Sequence, residues 1–288
     1  MTVASTTEVG ARPARPGRRP SAPAWLGTLP FFAYVGVFLL LPTGIVVFNA
    51  FRNPTGGFEL SGLTALGSSA VRGFFIGSFE LCLVSSLAGA VFGAILAYAV
   101  ASGNPDGTVR RLYLAVSGVL AQFGGVTLAF AFLVLIGPVG LLLHASWYYT
   151  FPWGIALIYA YFQIPLMVLV FMPAIDGLRV QWREASENLG ASSWQYWRHV
   201  GGPLLMPAFI GAALLLFANA LSAFATIEAW ENQIAYIVPQ QISTALNSEV
   251  GLASVNYADV LALGMVIMVA IVMTGYALLQ RRAARWLR

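Results

Sequence analysis

Trp153-Gly-Ile-Ala-Leu-Ile-Tyr-Ala-Tyr-Phe-Gln-Ile-Pro-Leu-Met-Val-Leu-Val-Phe-Met-Pro-Ala-Ile175 runs without a single charged residue. A membrane-crossing helix needs about 20 such residues. Charges return at once in the next stretch. It reads Asp176-Gly-Leu-Arg-Val-Gln-Trp-Arg-Glu-Ala-Ser-Glu-Asn-Leu-Gly190, then Ala-Ser-Ser-Trp-Gln-Tyr-Trp-Arg-His-Val-Gly-Gly-Pro203. A second apolar run follows over 203–227. The pattern is span, polar loop, span. In lipid every backbone group must find a partner inside its own segment, so the spans must be helices. A barrel would show short alternating segments instead, and the sequence has none.

Working outward, four more runs fit the same template: 25–49, 75–101, 112–136 and 257–280. The expectation is an all-α membrane protein with six transmembrane helices. Composition agrees. Of the 288 residues, 59% are hydrophobic and 9% charged, with a mean hydropathy of +0.78. A soluble domain carries roughly 25% charged residues, so this chain lacks the polar surface that water would require. Prolines inside runs, such as Pro42 and Pro165, are tolerated in membrane helices and can kink them.

The net charge of +4 comes from fifteen arginines and no lysine. Nucleic-acid binding would need a basic face on a soluble fold, and these arginines sit at span ends and tails. With six spans, one side holds Arg12, Arg15, Arg18, Arg19, Arg110, Arg111, Arg179, Arg183, Arg198, Arg281, Arg282, Arg285 and Arg288. The other side holds only Arg52 and Arg72. The positive-inside rule places both termini in the cytoplasm. Residues 1–24 read as a disordered basic cytoplasmic tail, 25–280 as the transmembrane domain and 281–288 as a basic C-terminal tail. A cleavable signal peptide is the rival for the N-terminus, but the apolar stretch from Trp25 to Phe48 is too long for its core.

The outer loops are about 50–74, 137–152 and 228–256. The second carries His144 and the rings of Trp147, Tyr148 and Tyr149, which suit anchoring at the membrane interface. The third carries Glu228, Glu231 and Glu249. Cys82 is the sole cysteine, so no internal disulfide or multi-cysteine metal site exists, and it reads as a small buried apolar residue. His144 and His199 fall on opposite faces of the membrane, which excludes a shared metal. No metal site is expected.

The cytoplasmic loop 176–203 has its own order. Leu178, Trp182, Ala185 and Leu189 fall on one helical stripe, and Arg183 and Glu187 can pair at i, i+4. Gly190 follows as a helix C-terminal cap. Ser192 or Ser193 caps a second helix carrying Trp194 and Trp197, and Pro203 opens the fifth span. Physics alone leaves two readings: an amphipathic element lying on lipid headgroups, or a docking surface for a cytoplasmic partner.

The loop resembles the signature of binding-protein-dependent ABC importer permeases, E-A-A-x3-G-x9-I-x-L-P. Here it is Glu184-Ala185-Ser186, three residues, Gly190, nine residues, then Val200-Gly201-Gly202-Pro203. Ser186, Val200 and Gly202 depart from the pattern, and Gly202 forgoes an apolar contact and loosens the hinge. The resemblance implies the type I ABC importer permease (MetI-like) fold in a bacterial inner membrane. Gln122-Phe-Gly-Gly-Val-Thr-Leu-Ala-Phe-Ala-Phe132 and Leu221-Ser-Ala-Phe-Ala-Thr226 are similar to the group of spermidine/putrescine, thiamine, iron and phosphonate permeases.

What the resemblance implies is a transport subunit and not an enzyme. Glu184, Ala185, Ser186, Gly190, Val200 and Pro203 would couple it to two cytoplasmic ATP-binding subunits. A second permease, as a heterodimer, and an extracytoplasmic solute-binding protein would complete the assembly. A phosphate-binding Gly-x-x-x-x-Gly-Lys-Ser/Thr loop needs a lysine, which this chain lacks. ATP and magnesium therefore belong to the partner, and the chain itself carries no cofactor.

Polar residues inside spans are costly and face a bundle interior or cavity. Glu80, Gln122, Gln163 and Asn219 are the candidates for the solute path. The amides could equally bind helices together, and Glu80 could pair with Arg72. A carboxylate on the path would favour a cation, so the expected solute is small, polar and polyamine-like. Two other classes compete: a stand-alone secondary transporter or channel, and a membrane scaffold that binds another cytoplasmic partner. The first would be expected to show internal repeats and several embedded charges.

Overall fold

A computed structural model describes residues 25–52, 57–58, 61–104, 106–138, 140–142, 144, 146–230, 237–247 and 252–285. Among these, five helices are long and apolar enough to cross a bilayer: Thr28–Asn49, Ser69–Ala101, Trp153–Asp176, Ser193–Ser222 and Asn256–Gly275. A bent pair, Thr108–Gln122 and Val126–Ile136, passes the same test when its two helices are taken together as one span, the third. The expected all-helical architecture is therefore present, with five spans and this pair, and with four differences in detail.

The second span starts at Ser69, not at 75, because the Ser68 hydroxyl caps it by accepting from the Val71 N–H at 3.3 Å. Ser is a favoured residue for that role. The third span is not straight: its two helices meet at 100°. The fifth begins at Ser193, well before Pro203. The last helix runs from Leu252 to Arg285, so the backbone of 281–285 extends a helix where a tail was expected. The expected basic tail 1–24 lies outside the described residues.

Compact packing divides the chain at Ile45, and the first span up to that point is a unit by itself. Within it a π-turn at Gly36–Leu40 interrupts the α-helix. The second unit, from Val46 onward, holds the core.

The most extensive packing in that core joins the second and fourth spans. The reason is written in small residues. Gly77, Ser78, Leu81, Cys82, Ser85, Ser86, Gly89, Ala90, Gly93 and Ala97 form the buried face of the second span. A step of four residues keeps them on one side of the helix. Small residues let membrane helices approach closely, and dispersion then replaces the hydrophobic drive that lipid does not supply. A Cβ on Gly93 would lie 2.4 Å from the Met167 Cβ and 2.7 Å from the Ile164 carbonyl oxygen.

The outer loops close over this core. Tyr148, expected at the membrane interface, is 1% exposed instead. Its hydroxyl donates to the Ala129 carbonyl at 3.2 Å, and the Trp230 indole N–H donates to the Tyr148 carbonyl at 3.2 Å. Buried Tyr and Trp need such partners, and the loop supplies them by folding the ring inward. Trp147 stays exposed. In the third outer loop Val238–Asn247 is a helix, and its Val238 N–H donates to the Ser78 hydroxyl at 2.9 Å. Glu231 and Glu249 lie outside the described residues.

Candidate functional sites: the cytoplasmic loop and the recess between broken spans

The cytoplasmic loop folds as its sequence predicts up to Ser192. Val180–Asn188 is a helix. Gly190 takes a φ of +76°, a region open to glycine and costly for other residues. Its N–H donates to Glu187 O at 2.9 Å, and the Ala191 N–H donates to Ser186 O at 3.0 Å. That pair of bonds is the Schellman closure of a helix end. Arg183 donates to the Glu187 carboxylate at 3.0 Å, which pushes the guanidinium's pKa up from its ordinary value. The pair is solvent-exposed and adds little stability.

Ser192 is the cap of the second helix. Its hydroxyl accepts from the Gln195 N–H, and the Gln195 side chain accepts from the Ser192 N–H at 2.7 Å. This reciprocal box starts a helix that continues into the membrane. Pro203 sits in the first turn of the α-helix Gly202–Ser222, as expected, but the span itself starts earlier. A π-turn at Trp197–Gly201, closed by the Gly202 N–H donating to Trp197 O, joins that helix to the one begun at Ser193. Gly202 is a requirement here, not a loosened hinge: a Cβ would sit 2.5 Å from that same oxygen.

These features sort the signature residues. Glu184, Ala185 and Gly190 are exposed on the first helix and its cap, and Ser186 is half-buried with its hydroxyl on Arg183 O at 2.7 Å. Val200 lies in the π-turn, and Pro203 is exposed on the continuous helix that follows. Leu178 packs into the core, whereas Leu189 is 88% exposed and Trp182 and Trp194 are exposed too. Beyond Leu178 the apolar stripe is thus left uncovered by the described residues. Arg110 on the third span pairs with Asp176 at the end of the fourth, which fixes the point where the loop leaves the bundle.

The solute-path candidates separate into three environments. Gln163 is fully buried, and its Nε2 donates to the Ser85 hydroxyl at 3.1 Å while Oε1 has no partner among the described residues. It joins the fourth span to the second. Gln163→Leu is expected to keep solute uptake within about two-fold of the parent, because such a buried amide contributes on average only about 0.6 kcal/mol to helix packing. Uptake assayed alongside thermal unfolding of the purified complex checks this. Glu80 is exposed on the second span and makes no ion pair among the described residues. The expected partnership with Arg72 does not form, since eight helical positions separate the two by about 12 Å.

Gln122 and Asn219 are brought together. They line one recess of about 260 Å³ with Gly124, Gly125, Ser222 and Thr226. Two helix breaks build it. The third span breaks at Phe123–Gly125, where Gly125 has a φ of +75°. The fifth breaks at Ala223, between helices ending at Ser222 and starting at Phe224. Two clips hold the breaks in register. The Gly125 N–H donates to Thr226 Oγ1 at 3.0 Å, and the Tyr159 hydroxyl donates to the Ala223 carbonyl at 2.6 Å. The N-terminus of Val126–Ile136 opens beside the recess, where the first backbone N–H groups point out of the helix. Among the described residues, none that lines it is charged. Thr226 and Tyr159 escaped the sequence reading. The signal available for Thr226 was the stretch 221–226 itself, which faces 122–132 across the recess.

Comparison with known proteins places this arrangement. The sulfate transport system permease protein CysT of Escherichia coli is 35% identical over 79 residues, covering 27% of this chain and 28% of that protein. The matched region is thus little more than a quarter of that relative's length. The sulfate permease CysW of Synechococcus elongatus is 24% identical over 260 residues, 88% of this chain and 87% of that protein. A bacterial ABC transporter that imports alginate has a chain of the same fold, with a TM-score of 0.69 at 17% identity, covering 90% of this chain and 95% of that one. These relatives do not support the expected spermidine/putrescine, thiamine, iron and phosphonate group. Residues 89–288 match the family model described as binding-protein-dependent transport system inner membrane component. With its apolar spans and this match over most of its length, the chain belongs to that family, as a multi-pass component of the inner membrane.

Proposed function

We propose that this chain is the permease of an importer for a small oxyanion, and that the recess between the broken third and fifth spans is where the anion passes. The recess carries the reading: its polar groups are amides and hydroxyls, and a helix N-terminus opens beside it. Aligned peptide dipoles make a helix N-terminus favourable for negative charge, and discontinuous membrane helices commonly present such ends to a solute. Relatives named as sulfate permeases support the same choice. The polyamine-like solute loses its basis, since Glu80 lies outside the recess and a polycation would meet no carboxylate there.

The remaining assembly follows the family. The exposed helix around Glu184 and its Gly190 cap seat against cytoplasmic ATP-binding subunits, which supply ATP and magnesium chemistry. A second permease completes the path, and an extracytoplasmic solute-binding protein delivers the solute. The uncovered apolar residues Trp182 and Leu189 favour a protein partner over water for this loop. ATP closure of the partner would move the loop, and the continuous helix from Ser193 would carry that motion to the break at Ala223.

Uptake of radiolabelled sulfate by cells carrying the complete importer tests the proposal. Unlabelled molybdate or sulfate should compete and putrescine should not. Asn219→Leu should lower uptake about ten-fold or more, as losing a hydrogen bond to a charged group costs about 1.5–3 kcal/mol, while the complex still assembles. Absence of importer-dependent sulfate uptake, or its displacement by putrescine and not by molybdate, would overturn the assignment.

A further inference from the structure

A second cavity lies at the cytoplasmic end of the bundle, apart from the recess just described. It has a volume of about 520 Å³ and lies between the second, fourth and fifth spans. Ala94, Ile95, Phe171, Leu205, Met206 and Phe209 line its deeper part. Tyr98, Ile175 and Trp197 form a wall shared with a neighbouring cavity of about 240 Å³. That neighbour adds Ser102, Arg179 and Arg183. The pair therefore reads as one site with two chemistries, apolar within and cationic at the rim.

Depth decides what the apolar part meets. The helix from Gly202 to Phe209 climbs about 10 Å at 1.5 Å per residue. Within a hydrocarbon core of about 30 Å, this is the level of the inner leaflet's glycerol and upper acyl chains. The rim lies at the cytoplasmic surface, where the charges of the loop begin. Of the two rim cations, Arg183 is engaged by Glu187. Arg179 stacks over Trp182 at 5.8 Å and makes no ion pair among the described residues.

We propose that the two cavities hold one anionic phospholipid, with an acyl chain in the apolar part and its phosphate against Arg179. A zwitterionic lipid would fill the slot but bring no net charge to the rim. Basic residues at the inner surface attract anionic headgroups, each contributing about five-fold in affinity. The wall residue Trp197 belongs to the π-turn that joins the loop to the fifth span, and it packs edge-on to Tyr98 at 5.0 Å. A lipid seated there touches the element through which loop motion reaches the membrane.

Native mass spectrometry of the purified full-length permease, titrated with phosphatidylglycerol and with phosphatidylcholine of identical chains, tests this. The wild type should hold phosphatidylglycerol about five-fold more tightly. Arg179→Gln should erase that preference while still binding either lipid. Ala94→Trp should fill the slot and lose both. Because a core tryptophan risks misfolding, the exposed Arg179→Gln variant is decisive by itself. Equal retention of the two lipids by the wild type, or an unchanged preference in Arg179→Gln, overturns the proposal. So does a Met206→Cys variant that forms disulfide-linked permease pairs in native membranes, since that face would then be a protein interface.

Discussion

Gly93→Leu is expected to remove the folded permease from detergent extracts altogether. The second and fourth spans meet so closely at Gly93 that even one added carbon would lie 2.4 Å from Met167 Cβ and 2.7 Å from the backbone oxygen of Ile164. A backbone atom cannot rotate aside, so the helices must separate. Overpacking alone costs typically 1–3 kcal/mol, and separation also breaks the hydrogen bond from Gln163 to Ser85. The steric term outweighs that hydrogen bond, because polar contacts between membrane helices average only about 0.6 kcal/mol. Gly93→Ala should already lower the thermal midpoint of the purified permease. Gly118→Ala, where nothing lies within 4 Å, should leave it unchanged. An undisturbed midpoint in Gly93→Ala would show that the two helices do not pack at this distance.

Gly190→Pro should have the opposite profile: a stable permease that no longer assembles. Nothing lies within 4 Å of a Cβ at this position, so the membrane core is untouched. The φ of +76°, however, is inaccessible to proline, whose ring fixes it near −65°. The substitution also deletes the N–H that bonds Glu187 O. The Schellman closure is lost, and the helix bearing Glu184 and Ala185 leaves the loop in a different direction. Co-purification of the ATP-binding subunit and solute uptake should both fall by ten-fold or more, with the thermal midpoint of the isolated permease unchanged. Glu184→Lys should weaken association without altering the loop. Normal assembly and transport by both variants would mean that the loop does not couple.

The contrast between Gly93 and Gly190 shows where sequence reading succeeded. Gly190 was legible because a helix cap is local. Its signal is an apolar stripe ending in glycine, and the bonds that satisfy it come from residues three and five positions away. The capping role of Ser192 was legible for the same reason. Gly93 was overlooked, although the repeat of small residues along 77–97 was there to be read. Its meaning depends on which helix lies opposite, and nothing in the span itself names Met167.

The solute-path candidates follow the same division. Gln122, Gln163 and Asn219 are amides in apolar runs, equivalent by composition. Only the packed bundle separates them, burying Gln163 against Ser85 and opening Gln122 and Asn219 onto one recess. The break in the third span was hidden for a related reason. Glycines are common in membrane helices, and hydropathy scores Gly124 and Gly125 without regard to chain direction.

By itself, the sequence determined the solvent and the helical spans, because apolar length is summed residue by residue along the chain. It also determined the loop's helix and its glycine cap, through contacts a few residues apart. The tertiary structure alone decided the 100° bend, the meeting of the two helix breaks and the close seam at Gly93. Each of these depends on a backbone or side-chain group from a distant span, and no local pattern specifies which group that will be.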